Sequence, residues 1–174
     1  MSVRVLIFIA LLLACLLTAA GQKPCERYSE LGVSFSACPP EGWVVEARPG
    51  EQFKIFAGPG AGNFRPNINF REEASNLSLE DYVDASSKVI LGGAEKLGAK
   101  SINLKSKSAF ETDAGTKGFK VVYLVDYQGN LIRINQYIFN GRFGYKLIMS
   151  GTAGEDAQLD SLFDASAKSL IIQR

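Results

Sequence analysis

The tightest constraint on this chain is a run of punctuation near its front: Cys25, then Val33-Ser34-Phe35-Ser36-Ala37-Cys38-Pro39-Pro40-Glu41-Gly42-Trp43. Val33, Phe35 and Ala37 alternate with Ser34 and Ser36, the period-two pattern of a half-buried strand. Pro39-Pro40-Glu41-Gly42 then forces a reversal, because proline cannot continue a strand ladder and glycine adopts the backbone angles a tight turn needs. Trp43, the only tryptophan, opens the returning strand over Trp43–Ala47 and is expected to be buried and structural.

Upstream, Val3 to Leu17 is almost wholly apolar, Arg4 at its start is its one positive charge, and Thr18-Ala19-Ala20-Gly21 supplies small residues. This is the layout of a cleaved signal peptide over residues 1–21, leaving one domain over residues 22–174. The expected location is therefore outside the cytoplasm, periplasmic or secreted. A rival reading takes Leu12-Leu13-Ala14-Cys15 as a lipoprotein box with a lipid anchor on Cys15, although Leu16-Leu17-Thr18 continues the apolar run beyond it. The run falls short of the ~20 residues that span a bilayer, so no integral span is expected once the signal is removed. Cys25 and Cys38 are then the cysteines left. An even pair in an exported chain is expected to form a disulfide; two free thiols are the alternative, and no Cys-x-x-Cys points to redox work.

Lys and Arg number 19 against 18 Asp and Glu, a formal charge of +1. That balance argues against a nucleic-acid partner, which calls for a strong basic excess. The chain has no histidine, so Ser-His-Asp and Cys-His catalysis and His-based metal sites are excluded, and neither a cofactor nor a metal is expected. Glu72-Glu73, Glu80-Asp81-Asp84 and Glu155-Asp156 read as a strand end and two helix starts, since none has the spacing of a calcium loop. Gly58-Pro59-Gly60-Ala61-Gly62 lacks the Gly-Lys-Ser/Thr of a phosphate loop and reads as a hairpin loop.

The remaining pattern alternates strands and helices. Phe53–Ala57 and Asn67–Arg71 read as strands. Ser78 caps a helix whose first turn carries Glu80 and Asp81, with Leu79, Tyr82, Val83, Ser86 and Ile90 on one face and Gly92-Gly93 at its end. Ser101–Thr112, Lys117–Tyr127 and Leu131–Phe139 follow as hairpin strands, with a two-residue turn expected at Asn140-Gly141. Phe143, Tyr145, Leu147 and Met149 alternate on the last strand. A closing helix after Gly154-Glu155-Asp156 carries Leu159, Leu162, Phe163, Ser166 and Leu170. Four strands, a helix, four strands and a helix predict an α+β fold, an antiparallel sheet sandwiched by helices.

That order, carried by particular residues, resembles the PsbP-like family, which includes the photosystem II extrinsic subunit, the bacterial DcrB and LpqN lipoproteins and a eukaryotic Ran-release factor of the same fold. The matching residues are the Val33–Cys38 strand running into Pro40-Glu41-Gly42-Trp43, Asn67-Ile68-Asn69-Phe70, Leu79-Glu80-Asp81-Tyr82, Gly118, Tyr145-Lys146-Leu147 and Phe163-Asp164 to Ser169. The resemblance implies a non-enzymatic protein that binds other proteins or assists assembly. The metal-linked histidines of the photosynthetic members do not carry over.

The candidate binding face is set by alternation. Asn67, Asn69, Arg71, Arg133 and Asn135 lie on the polar sides of their strands, and if those strands are neighbours they make one donor-rich patch. Phe119, Tyr123, Tyr127, Tyr137, Phe139, Phe143 and Tyr145 recur at strand period and are expected to form core beneath a helix. The leading expectation is an exported binding or assembly-assisting protein with a protein partner. A small-ligand or lipid carrier with an apolar cavity, and an enzyme of unknown chemistry, are the alternatives.

Overall fold

Three strands of ten or eleven residues run through the sheet and carry consecutive apolar residues, Val121-Val122-Tyr123, Tyr137-Ile138-Phe139 and Leu147-Ile148-Met149, because both of their faces are buried. They are β6 (Lys117–Tyr127), β7 (Asn130–Asn140) and β8 (Tyr145–Gly154). The computed structural model describes residues 25–60, 65–94, 96, 98–155 and 157–173; the signal-peptide and Cys15 readings lie outside them. The other elements are β1 (Phe35–Ser36), β2 (Val44–Glu46), β3 (Ile55–Ala57), β4 (Asn67–Ala74), helix α1 (Leu79–Gly92), β5 (Ser101–Glu111), helix α2 (Asp160–Lys168) and β9 (Ile171–Ile172). Seven strands form one antiparallel sheet in the order β2-β3-β4-β8-β7-β6-β5, and β1 pairs with β9 in a separate two-stranded ribbon.

The local chemistry accounts for the element ends. Gln128 and Gly129 both have positive φ, so they close the β6–β7 hairpin as a two-residue turn of the primed type. The turn expected at Asn140-Gly141 is instead longer. Asn140 pairs with Lys146, and Tyr145 N–H bonds to the Arg142 carbonyl, so it is Gly144 that takes the positive φ. Ser78 Oγ accepts the Asp81 N–H at 3.1 Å and starts α1, which stops at Gly93. The closing helix begins later than its acidic leader suggested: a 3-10 turn, Ala157–Leu159, precedes Asp160. The chain then adds β9, where the sequence reading ended in helix. Trp43 precedes β2, is buried, and meets the Phe163 ring edge-on at 6.1 Å.

The sheet has two covered faces. Phe70, Tyr137, Phe139, Leu147 and Met149 face α2 and the N-terminal segment that carries Tyr28 and Phe35. Val121, Tyr123, Ile138 and Ile148 face α1. The aromatics therefore divide: Tyr123, Tyr137 and Phe139 are core, Tyr127 is partly exposed, and Phe143 stands in solvent. Cys25 and Cys38 form a disulfide with Cα atoms 5.8 Å apart, a separation normal for the bond. It closes the base of a hairpin bridged at Tyr28 and Ala37. Ser169 Oγ accepts the Cys38 N–H at 2.8 Å and Ser166 donates to the Cys38 carbonyl at 2.7 Å, so this loop is tied to α2.

Candidate binding face

Strand register decides which polar residues share a face. Asn67, Asn69 and Arg71 on β4 pair with Thr152, Ser150 and Ile148 on β8. Those three β8 residues pair in turn with Ile134, Gln136 and Ile138 on β7. Strand β8 thus separates β4 from β7, and the β7 residues on the α1 side are the even-numbered ones. Arg133 and Asn135 point to the opposite face. The single five-residue patch is therefore corrected to two groups. Alternation tells which residues of one strand share a side, but only the inter-strand register tells which sides of different strands coincide.

Arg133 and Asn135 belong to a network that pins α2. The Arg133 guanidinium reaches Asp160 through Nε at 2.9 Å and Nη2 at 2.7 Å, and Asn135 Nδ2 donates to the same carboxylate at 2.8 Å. One turn on, Lys120 Nζ and the Tyr137 hydroxyl both donate to Asp164 Oδ1 at 2.6 Å. Burial pushes the Asp160 carboxyl up, but the hydrogen bonds from Arg133 and Asn135 outweigh it and leave the group below the usual carboxylate range. Burial and the Asp164 carboxylate together push the Tyr137 hydroxyl far up, so it stays protonated as a donor. Asn135 is fully buried, and its Oδ1 makes no hydrogen bond among the described residues.

On the other face an open cleft of about 300 Å³ lies between α1 and the sheet. Ile138, Ile148 and Gln136 form its floor, Tyr82, Ser86 and Val89 its helical wall, and Arg71 and Glu73 its β4 side. Arg71 Nη2 meets Glu73 Oε1 at 2.7 Å, and the Tyr82 hydroxyl donates to Glu73 Oε2. Burial, then the bond to Glu73, pushes the Tyr82 hydroxyl well above its ordinary value. Glu73 is thus occupied on both oxygens, whereas Arg71 remains more than half exposed with donors to spare. Gln136 Nε2 reaches Ser150 Oγ at 3.4 Å, so the polar row Asn69, Ser150, Gln136 runs from the open sheet into the cleft.

The sequence reading found three residues of this face and missed Gln136, Ser150, Glu73, Tyr82 and Val89. One signal was available: Tyr82, Ser86 and Val89 fall on one stripe of α1, and Val89 is apolar yet lies off the stripe of Val83, Ser87 and Ile90. The acidic pair Glu72-Glu73 divides across the strand. Glu73 lines the cleft, while Glu72 is buried on the α2 side, where it accepts from the Ser34 hydroxyl and pairs with Arg142 at 3.2 Å. Residues 61–64 of the glycine loop lie outside the described residues; Arg65 Nε holds its start by donating to the Gly58 carbonyl at 2.6 Å.

No protein-family model matches this chain, and no curated protein matches it either. Solved structures do. Cyanobacterial PsbP (CyanoP) from Synechocystis sp. PCC 6803 has a TM-score of 0.64 at 20% identity, over 88% of this chain and 95% of its own. The Ran-binding protein Mog1p of Saccharomyces cerevisiae has a TM-score of 0.58 at 12% identity, over 87% and 96%. LpqN of Mycobacterium tuberculosis, involved in cell envelope biogenesis, has a TM-score of 0.55 at 11% identity, over 88% of each chain. The chain therefore has the PsbP-like α+β fold, as its sequence resemblance implied. Among the described residues no helix is long and apolar enough to cross a membrane.

Proposed function

We propose that this chain is an exported, non-enzymatic contact protein that receives a protein partner on the sheet face beside α1. The observation that carries the reading is the open cleft between α1 and strands β4, β8 and β7. It combines a rigid floor, exposed apolar residues at its rim and donors without a competing free carboxylate. A rigid strand platform holds a partner with little ordering cost. Arg71 is its strongest anchor, because a planar guanidinium pairs with a carboxylate at two points and arginine is enriched where binding energy concentrates. The named roles of two fold relatives, Ran binding and cell envelope biogenesis, suit a contact function. The disulfide and the apolar leader support export, with Cys15 lipidation as the alternative anchor.

A photo-crosslinking residue at Val89, in the cell of origin, tests the reading. Adducts are expected at Val89 and not at Leu104, an exposed residue on the far edge of the sheet. Equal adducts at both positions would remove the case for the cleft. Mass analysis of the exported protein's N-terminus tests the leader: cleavage near Ala20 or Gly21 is expected, and a diacylglycerol on Cys15 would replace it with the lipoprotein reading. A small-ligand reading rests on the same cleft, whose volume lies at the lower bound of about 300 Å³ for ligand pockets.

A further inference from the structure

Two turns carry residues that their geometry does not require. Glu30–Val33 and Arg142–Tyr145 each close with a backbone bond from the fourth residue to the first, Val33 N to Glu30 O at 3.2 Å and Tyr145 N to Arg142 O at 2.9 Å. Each has a positive-φ glycine in third place, Gly32 at 84° and Gly144 at 75°, the type II pattern. Second place holds Leu31 and Phe143, with exposures of 106% and 101%. The same turn is built twice more, over Pro40–Trp43 and Arg48–Glu51, with Glu41 and Pro49 in second place. The position accepts a charged or a cyclic residue. Neither the backbone nor the core calls for a large apolar side chain there.

Both tips stand at one end of the molecule. Phe35 packs on Phe70, and one residue back Ser34 bonds to Glu72, two residues further along β4; the Glu30–Val33 turn that carries Leu31 directly adjoins Ser34. The other Glu72 oxygen holds Arg142, the neighbour of Phe143. Ser75, just past β4, donates its N–H to the Gly144 carbonyl at 2.8 Å. One buried carboxylate at the end of β4 thus braces both turns.

We infer that this end is a membrane-contacting edge, in which Leu31 and Phe143 enter the interfacial layer of a lipid bilayer. The shape selects the occupant. Two separate side chains standing clear of their own fold are accommodated by a fluid layer without shape matching, whereas a protein would have to offer two matching pockets. Each tip has a cation beside it, Arg142 next to Phe143 and Lys54 held to Glu30 at 3.1 Å next to Leu31. Both cations are already paired, so the contact rests on apolar insertion and does not require anionic lipid. Two small anchors give a weak, reversible contact.

The test uses the full chain carrying Phe143→Trp or Leu31→Trp, with phosphatidylcholine vesicles brominated high in the acyl chains. Depth-dependent quenching reads the tip itself, so it is not confused with insertion of the apolar leader. The tip tryptophans are expected to be quenched and Leu104→Trp, on the β5 edge, is not. Adding Leu31→Ser to Phe143→Trp should raise the lipid needed for half-maximal quenching by about tenfold, the factor for losing one partly buried apolar side chain. Tip quenching no greater than that of Leu104→Trp would overturn the inference. So would tips shielded by a protein extract but not by vesicles.

Discussion

Gly151→Ala is the sharpest test of how α2 closes its side of the sheet. An added Cβ at Gly151 would lie 2.5 Å from Phe163 Cγ and Cδ1 and 2.9 Å from Cδ2. Carbon atoms in contact sit ~3.5–4.0 Å apart, so the ring must retreat by about 1 Å. It has nowhere free to go, because Phe163 is fully buried and abuts Trp43. Overpacking of this kind costs about 1–3 kcal/mol. Replacing glycine also narrows the unfolded ensemble and returns roughly 0.4–1 kcal/mol, so an overpacking cost at the middle of its range, about 2 kcal/mol, leaves a net loss of about 1–1.6 kcal/mol. For a domain of this size that is a melting shift of roughly 2–6 °C. Thermal melts and urea titrations measure the loss. Trp43, the only tryptophan, reports the displaced ring directly through its emission. Gly151→Ala combined with Phe163→Leu should recover part of the stability. An unchanged melting temperature with unchanged Trp43 emission would refute the claim that α2 is seated on Gly151.

Asp160→Asn should destabilise the protein by about 1–3 kcal/mol near neutral pH, since it leaves a mostly buried Arg133 without its charge partner. The Asp160 carboxyl is held below its ordinary value, so its contribution is full above the unfolded pKa of about 3.9 and is lost as pH falls through the lower folded value. Acid titration of stability should therefore be shallower in Asp160→Asn than in the wild type. Replacing Cys25 and Cys38 by serine should cost about 3 kcal/mol in the chain-entropy picture for a loop of this size, and a non-reduced peptide map showing two free thiols would contradict the bond. Arg71→Ala should leave the unfolding free energy within about 1 kcal/mol of wild type, as expected of an exposed pair, yet weaken partner capture; Arg133→Ala should lower the melting temperature and leave the cleft intact.

Much of the architecture was legible because it is local. The turn residues that bound Lys117–Tyr127 and Leu131–Phe139, the Ser78 cap with its acidic first turn, and the Gly92-Gly93 stop each act within a few residues of chain, and the corresponding elements stand where those signals put them. The pairing of Cys25 with Cys38 followed from arithmetic on the cysteines left once residues 1–21 are read as a leader. What the chain could not show by itself was register. Asn69 and Asn135 are equally polar and equally placed on their strands, but β8 lies between them and sets their phases opposite, so Gln136 joined the candidate face and Asn135 became a buried strut for Asp160. The cleft likewise depends on where α1 crosses the sheet, and the exposed pair Leu31 and Phe143 on a carboxylate whose partners lie 38 and 70 positions away, at Ser34 and Arg142. Backbone propensity is settled between near neighbours. The meeting of faces is settled by tertiary packing, in which a shift of one residue exchanges the buried side of a strand for the exposed one.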